Sequence, residues 1–199
     1  MTNQSSARTE TKAKFTTFQI ALVALMTAIT CVMGPLSIPI PISPVPISLT
    51  NLAIYFITCI LGWKLGTLSY ILYLCIGLAG LPVFSAFSSG FGKLFGPTGG
   101  YLIGFIFLAI ISGICFEKTN NKLLLIIGLI LGTAVCYLFG TAWLCYQANL
   151  TFYQGLWAGV IPYIPGDLVK IILAVLFAPV IRRRPVSYTH LTLPTTHTV

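Results

Sequence analysis

LLLIIGLILGTAVCYLFGTAWLCY, residues 123–146, carries no charged side chain and is long enough to cross a bilayer as one helix. Hydrocarbon offers the backbone no water to bond with, so such a segment must close its own hydrogen bonds and is read as α-helix. Similar apolar runs at 15–33, 47–62, 65–80, 98–116 and 156–181, the last interrupted by prolines, predict six helices. The composition agrees: 57% of the residues are hydrophobic and 7% are charged, whereas a soluble domain is about a quarter charged. The expected fold is all-α, a polytopic integral membrane protein of six transmembrane helices with an extended Pro-rich first outer loop and a Gly/aromatic-rich third loop.

The first apolar run is too long for the core of a signal peptide and reads as a retained helix. Residues 1–14 form a polar, mobile cytoplasmic leader, and residues 15–184 a single six-helix membrane domain. The tail at 185–199, PVSYTHLTLPTTHTV, is uncharged, rich in threonine, and resembles translated adapter or vector sequence. It is read as disordered or non-native. Both histidines, His190 and His197, lie within it, which removes histidine-based catalysis from consideration.

The formal charge of +8 is scattered between apolar segments rather than gathered on one face, which argues against nucleic acid and for topology. With both termini placed in the cytoplasm, Arg8, Lys12, Lys14, Lys64, Lys118, Lys122, Arg182, Arg183 and Arg184 all fall inside, nine of the 11 basic residues. Lys93, in the third loop, and Lys170, within the sixth helix, are the two that do not follow the rule. The six cysteines lie in or beside apolar stretches without a C-x-x-C pair and read as small packing residues, not metal ligands.

Asp167 is the one acid in or next to an apolar span, since Glu10 and Glu117 lie in cytoplasmic flanks. An ionisable group at membrane depth is costly and marks a functional site by default. In PGDLVK (165–170) Lys170 stands three residues on, sharing a helix face with Asp167. The pair is either an internal ion pair or the polar end of a ligand pocket. The stretch from Gly80 to Tyr101 interleaves glycines with Phe84, Phe87, Phe91, Phe95 and Tyr101, offering close backbone approach and flat apolar walls for a small, partly apolar ligand. No phosphate-loop pattern is present, so no nucleotide hydrolysis is expected. The prolines of GPLSIPIPISPVPISLT (34–50) deny helix and central strand their donors, and an extended loop this long suits the covering of a site. Ala21, Ala24 and Ala28 put small residues at helical spacing on the first helix, either for docking a partner or for internal packing, and Gly128 with Gly132 repeats the pattern.

GLPVF (80–84), GPTGGYLIGF (96–105) and PGDLVKIILA (165–174), with the Pro-rich PIPISPVPISLTNLA before the second helix, resemble the biotin-specific S components of energy-coupling-factor (ECF) transporters, the BioY family. The resemblance covers about residues 15–183. It implies a substrate-capture subunit, not an enzyme and without a cofactor, in the plasma membrane of a bacterium. Such a subunit binds biotin at the outer face and hands it inward with a transmembrane coupling subunit and two cytoplasmic ATPases. It also implies that Asp167 and Lys170 belong to the binding site and that the small face of the first helix, Ala21, Ala24 and Ala28, meets the coupling subunit. Asp167 would accept from the ureido N–H groups, and Lys170 would donate to the ureido carbonyl or hold Asp167 in place. Lys93, the lone basic residue of an outer loop, is assigned to the carboxylate, with Phe84 and Tyr101 as walls. An S component for another vitamin, a stand-alone carrier, a membrane-embedded enzyme and a structural subunit are the competing readings.

Overall fold

The computed structural model describes residues 16–41 and 43–182. The leader at 1–14 with its basic residues, Arg183, Arg184 and the tail at 185–199 lie outside the described residues. The first helix, α1 (Thr17–Met33), opens on a reciprocal cap in which Thr16 accepts from Gln19 N and Gln19 accepts from Thr16 N, the T-x-x-Q arrangement that satisfies two free donors. One face of α1, with Val23, Met26, Thr27 and Thr30, is buried. Thr27 Oγ1 bonds the second helix through Ser69 at 3.0 Å.

Residues 34–49 make a two-residue antiparallel ladder, β1 (Ser37–Ile38) with β2 (Ile47–Ser48), pairing Ser37 with Ser48 and Ile38 with Ile47. The sequence predicts only an extended loop here. Pro35, Pro39, Pro41, Pro44 and Pro46 all fall outside the four paired positions, so the missing donors do not interrupt the ladder.

Helix α2 (Thr50–Leu78) has the length of a single span but is broken at Gly62, whose φ of 75° and ψ of −173° are not helical. The chain reverses there. A Cβ built on Gly66 would lie 3.1 Å from Thr58 Cα, whereas residues eight apart on a continuous helix stand about 12 Å apart. Thr50 also reaches Tyr73 across the two arms. The arms, 50–61 and 63–78, correspond to the expected helices at 47–62 and 65–80. Glu117 Oε1 accepts from Trp63 N at 2.9 Å, so a carboxylate caps the second arm at the reversal.

A 3₁₀ turn (Ser85–Phe87) and the single-turn helix α3 (Phe91–Leu94) occupy the third loop, followed by α4 (Gly99–Lys118) and α5 (Lys122–Ala148). These two pack closely because glycines face side chains: a Cβ on Gly104 would meet Cys136, on Gly128 Cys115, and on Gly132 Leu108. Gly128 and Gly132 thus serve internal packing. The expected sixth helix is two elements, α6 (Phe152–Gly159) and α7 (Ile164–Arg182), bent by 51° at a short break. Among the described residues α4 and α5 are long and apolar enough to cross a membrane as single helices, and the bent α6–α7 pair is a further candidate, whereas the apolar length of α2 is divided between two arms by the reversal at Gly62. Leu123, Leu124, Ile127, Leu131 and Leu138 of α5 are exposed on its outer face, where lipid replaces water. Tyrosines tie the interior: Tyr70 donates to Leu102 O (2.9 Å) and Tyr73 to Val83 O (3.0 Å), both fully buried.

Candidate binding site

Asp167 stands in the first turn of α7, and its carboxylate meets three donors from three elements. Oδ1 accepts from Lys170 Nζ at 3.0 Å and from Asn51 Nδ2 at 2.8 Å, while Oδ2 accepts from Tyr137 OH at 2.5 Å. Lys170 Nζ also donates to Asn51 Oδ1 at 3.0 Å and to Ser48 O at 2.7 Å. Asp167, Lys170 and Asn51 are all buried, at 8%, 8% and 4% exposure, so the pair is neutralised where a lone charge would be very costly.

This cluster forms one wall of an open cavity whose empty volume, with the solvent space at its mouth included, is about 720 Å³. The ladder covers it with Val45, Pro46, Ile47 and Ser48, and Tyr73, Leu102, Phe105 and Leu108 supply apolar surface. Tyr101 lines it too, its hydroxyl donating to Gly159 O at 2.9 Å. Glycine is required on both sides of that ring, because a Cβ on Gly140 would lie 2.2 Å from Tyr101 Cδ1 and one on Gly159 2.1 Å from its hydroxyl.

Lys93 reaches the same cavity from α3. It is half-buried, which pushes its ammonium below the ordinary lysine range through desolvation. Among the described residues the one ion pair is Asp167 with Lys170, so Lys93 has no acidic partner. Of the five residues assigned to the ligand from sequence, four line the cavity: Asp167, Lys170, Lys93 and Tyr101. Phe84 stands one layer behind it. It is fully buried beneath Tyr73, ring centroids 5.6 Å apart, and backs a wall that Tyr73 forms. Phe87, Phe91 and Phe95 point outward at 61–69% exposure.

The cover is fastened at both ends. Tyr163, in the α6–α7 bend, donates to Ser43 Oγ at 2.7 Å and to Val45 O, and Ser43 donates to Ala158 O. At the other end Ala86 N donates to Ser37 Oγ at 2.8 Å. The three alanines of α1 are exposed, on the side away from its buried face.

With this geometry, a family model described as the BioY family matches residues 5–186, which includes every residue lining the cavity. The chain belongs to the BioY family. It is 37% identical over 160 residues to the probable biotin transporter BioY of Pyrococcus horikoshii, covering 80% of this chain and 93% of that one. With the biotin transporter BioY of Lactococcus lactis subsp. cremoris it shares 34% over 191 residues, 92% of this chain and 95% of that one. The crystal structure of the S-component for biotin from an ECF-type ABC transporter superposes with a TM-score of 0.79 at 32% identity, covering 86% of this chain and 96% of that one. The fold is therefore that of an ECF S component. Two members of the polar cluster, Asn51 and Tyr137, are not among the residues that the sequence singles out. A signal existed for each: an amide one residue inside an apolar helix, and a tyrosine at mid-span four residues after Thr133.

Proposed function

We propose that this chain is the substrate-capture subunit of a biotin uptake transporter. The observation that carries the proposal is the arrangement of charge in one apolar cavity, a tied-down carboxylate on one wall and an acid-free ammonium on another. Biotin pairs a ureido ring, with two N–H donors, to an apolar body and a terminal carboxylate. Asp167 accepts from a ureido N–H, Tyr101 and Tyr73 enclose the apolar middle, and Lys93 pairs with the carboxylate. Phe84 acts by backing Tyr73. Lys170 holds Asp167 in place, the second of its two sequence-derived roles, since its donors are directed at protein acceptors. The names of the relatives, biotin transporters and a biotin S-component, favour the same ligand.

In this reading the cavity opens at the outer face and both termini are cytoplasmic. Lys64 and Lys118 support that orientation. Each adjoins the Trp63–Glu117 contact, and Gly62 closes the arm that starts at Asn51, so they cluster at the end of the bundle opposite the cavity. The outward face of Ala21, Ala24 and Ala28 meets a transmembrane coupling subunit, which two cytoplasmic ATPases drive. The chain acts as a transporter component rather than an enzyme and needs no cofactor. The deciding experiment is equilibrium binding and thermal stabilisation of the detergent-solubilised protein against a vitamin panel. Stabilisation by biotin alone is expected, and no response to biotin would remove the substrate assignment. Asp167→Asn should weaken biotin by at least tenfold, a lost charge-assisted bond of about 1.5–3 kcal/mol. Unchanged affinity would remove Asp167 from the ligand.

A further inference from the structure

The four groups of the polar cluster, Asp167, Lys170, Asn51 and Tyr137, leave unequal room for a ligand. An ammonium has three donors, a carboxylate about four acceptor sites. All three donors of Lys170 are committed inside the protein, to Ser48 O, Asn51 Oδ1 and Asp167 Oδ1. The Asn51 oxygen accepts from Lys170 and from Leu52 N, and its nitrogen gives one of its two N–H groups to Asp167 Oδ1, which leaves the other for the cavity that Asn51 also lines. Oδ1 is therefore doubly occupied. Oδ2 accepts from Tyr137 alone, so one of its acceptor sites is open among the described residues. The Tyr137 oxygen, its proton directed at Oδ2, keeps acceptor capacity of its own. Tyr137 and Asp167 both line the cavity. They also line an apolar groove between α5 and α7, with Ile130, Ala134 and Leu168. Tyr137 thus stands in the partition between cavity and groove and fixes which way Oδ2 faces.

We propose that Tyr137 is the positioning residue of this site: its hydroxyl aims Asp167 Oδ2 at the ligand and, with its proton spent there, offers the ligand lone pairs, while Lys170, all of its donors committed, acts through Asp167. The proposal rests on the biotin reading and deepens it, because the open acceptors of Asp167 Oδ2 and the Tyr137 oxygen, side by side, select for the ureido N–H. A ring bearing an ether oxygen in place of that N–H would set lone pair against lone pair and be refused. Such a site rejects an analogue lacking its donor far more strongly than a hydrophobic pocket rejects a missing methylene.

The test is a double-mutant cycle on the full chain in detergent, with biotin as the probe. Tyr137→Phe keeps the ring and removes the hydroxyl, and should weaken biotin roughly tenfold. In an Asp167→Asn background the same change should have little further effect, because it acts through a carboxylate no longer there. Losses that simply add would make Tyr137 an ordinary wall residue and overturn the proposal. Unchanged affinity in Tyr137→Phe would do the same. A second measurement needs no ligand: infrared bands of the Asp167 carboxylate, isolated as the difference from Asp167→Asn, should move in Tyr137→Phe. Bands that stay in place overturn the proposal whatever the protein binds. A parent that ignores biotin but whose carboxylate bands respond to Tyr137→Phe refutes the substrate reading and keeps the positioning role.

Discussion

Lys93 is the residue at which solution conditions should read out most directly. Attraction for a ligand carboxylate requires its ammonium form, present below the Lys93 pKa and lost as pH rises through it. Partial burial lowers that pKa, so the loss of biotin affinity should begin at a more acidic pH than exposed lysines would give. Lys93→Arg, with a guanidinium that stays charged, should hold the affinity through the alkaline range. Lys93→Met should lose about 1.5–3 kcal/mol of binding below that range. Titration calorimetry across pH checks all three proteins, and a parent profile flat to strong alkali would detach Lys93 from the ligand. Asp167 and Lys170 stood out in the sequence because an ion in a greasy segment needs a reason, and Lys93 because it is the lone basic residue of an outer loop. Asn51 was not, since it meets Asp167 across 116 positions and no local pattern encodes that distance. The layer that Phe84 occupies, behind Tyr73, was not legible either, because aromatic type says nothing about depth.

Helices and loops carry the next level of prediction. The reversal at Gly62 depends on a backbone region that is essentially glycine-only, and a Cβ there would lie 2.1 Å from Glu117 Oε1. Gly62→Ala should therefore destabilise the protein by about 1–3 kcal/mol, seen as a lower melting temperature, with biotin affinity changed little because the cavity lies at the far end of the arm. Gly140→Ala should damage both. It forces the Tyr101 ring out of its slot, an overpacking cost of about 1–3 kcal/mol, and moves a cavity wall. Equal biotin affinity in the Gly140→Ala protein would show that Tyr101 is not held by that contact. The division at Gly62 was readable because a glycine and a charged residue interrupt an apolar run. The separate α6 was not read, although its T-x-x-Q cap, Thr151 to Gln154, stood in the sequence. The β1–β2 ladder escaped because two-residue strands carry no periodicity.

At the scale of the whole molecule, the exposed alanine stripe and the cavity are on different parts of the bundle, so capture and partner docking should separate experimentally. Ala24→Phe should leave biotin binding by the isolated protein intact and reduce co-purification with a coupling subunit. Loss of both would mean that the stripe supports the fold itself. The all-α, multi-pass character was visible in advance because apolar length and charge depletion mark the chain throughout, whereas the way the bundle closes over its cavity depends on contacts between distant loops. Lys170 joins two of those scales, since one ammonium holds both the acceptor carboxylate and Ser48 O at the inner end of the cover. The cover cannot swing away at that end without slackening the grip on the carboxylate. Escape of a captured molecule then requires two separate losses in one event, which makes residence time, set by koff, the quantity this arrangement controls.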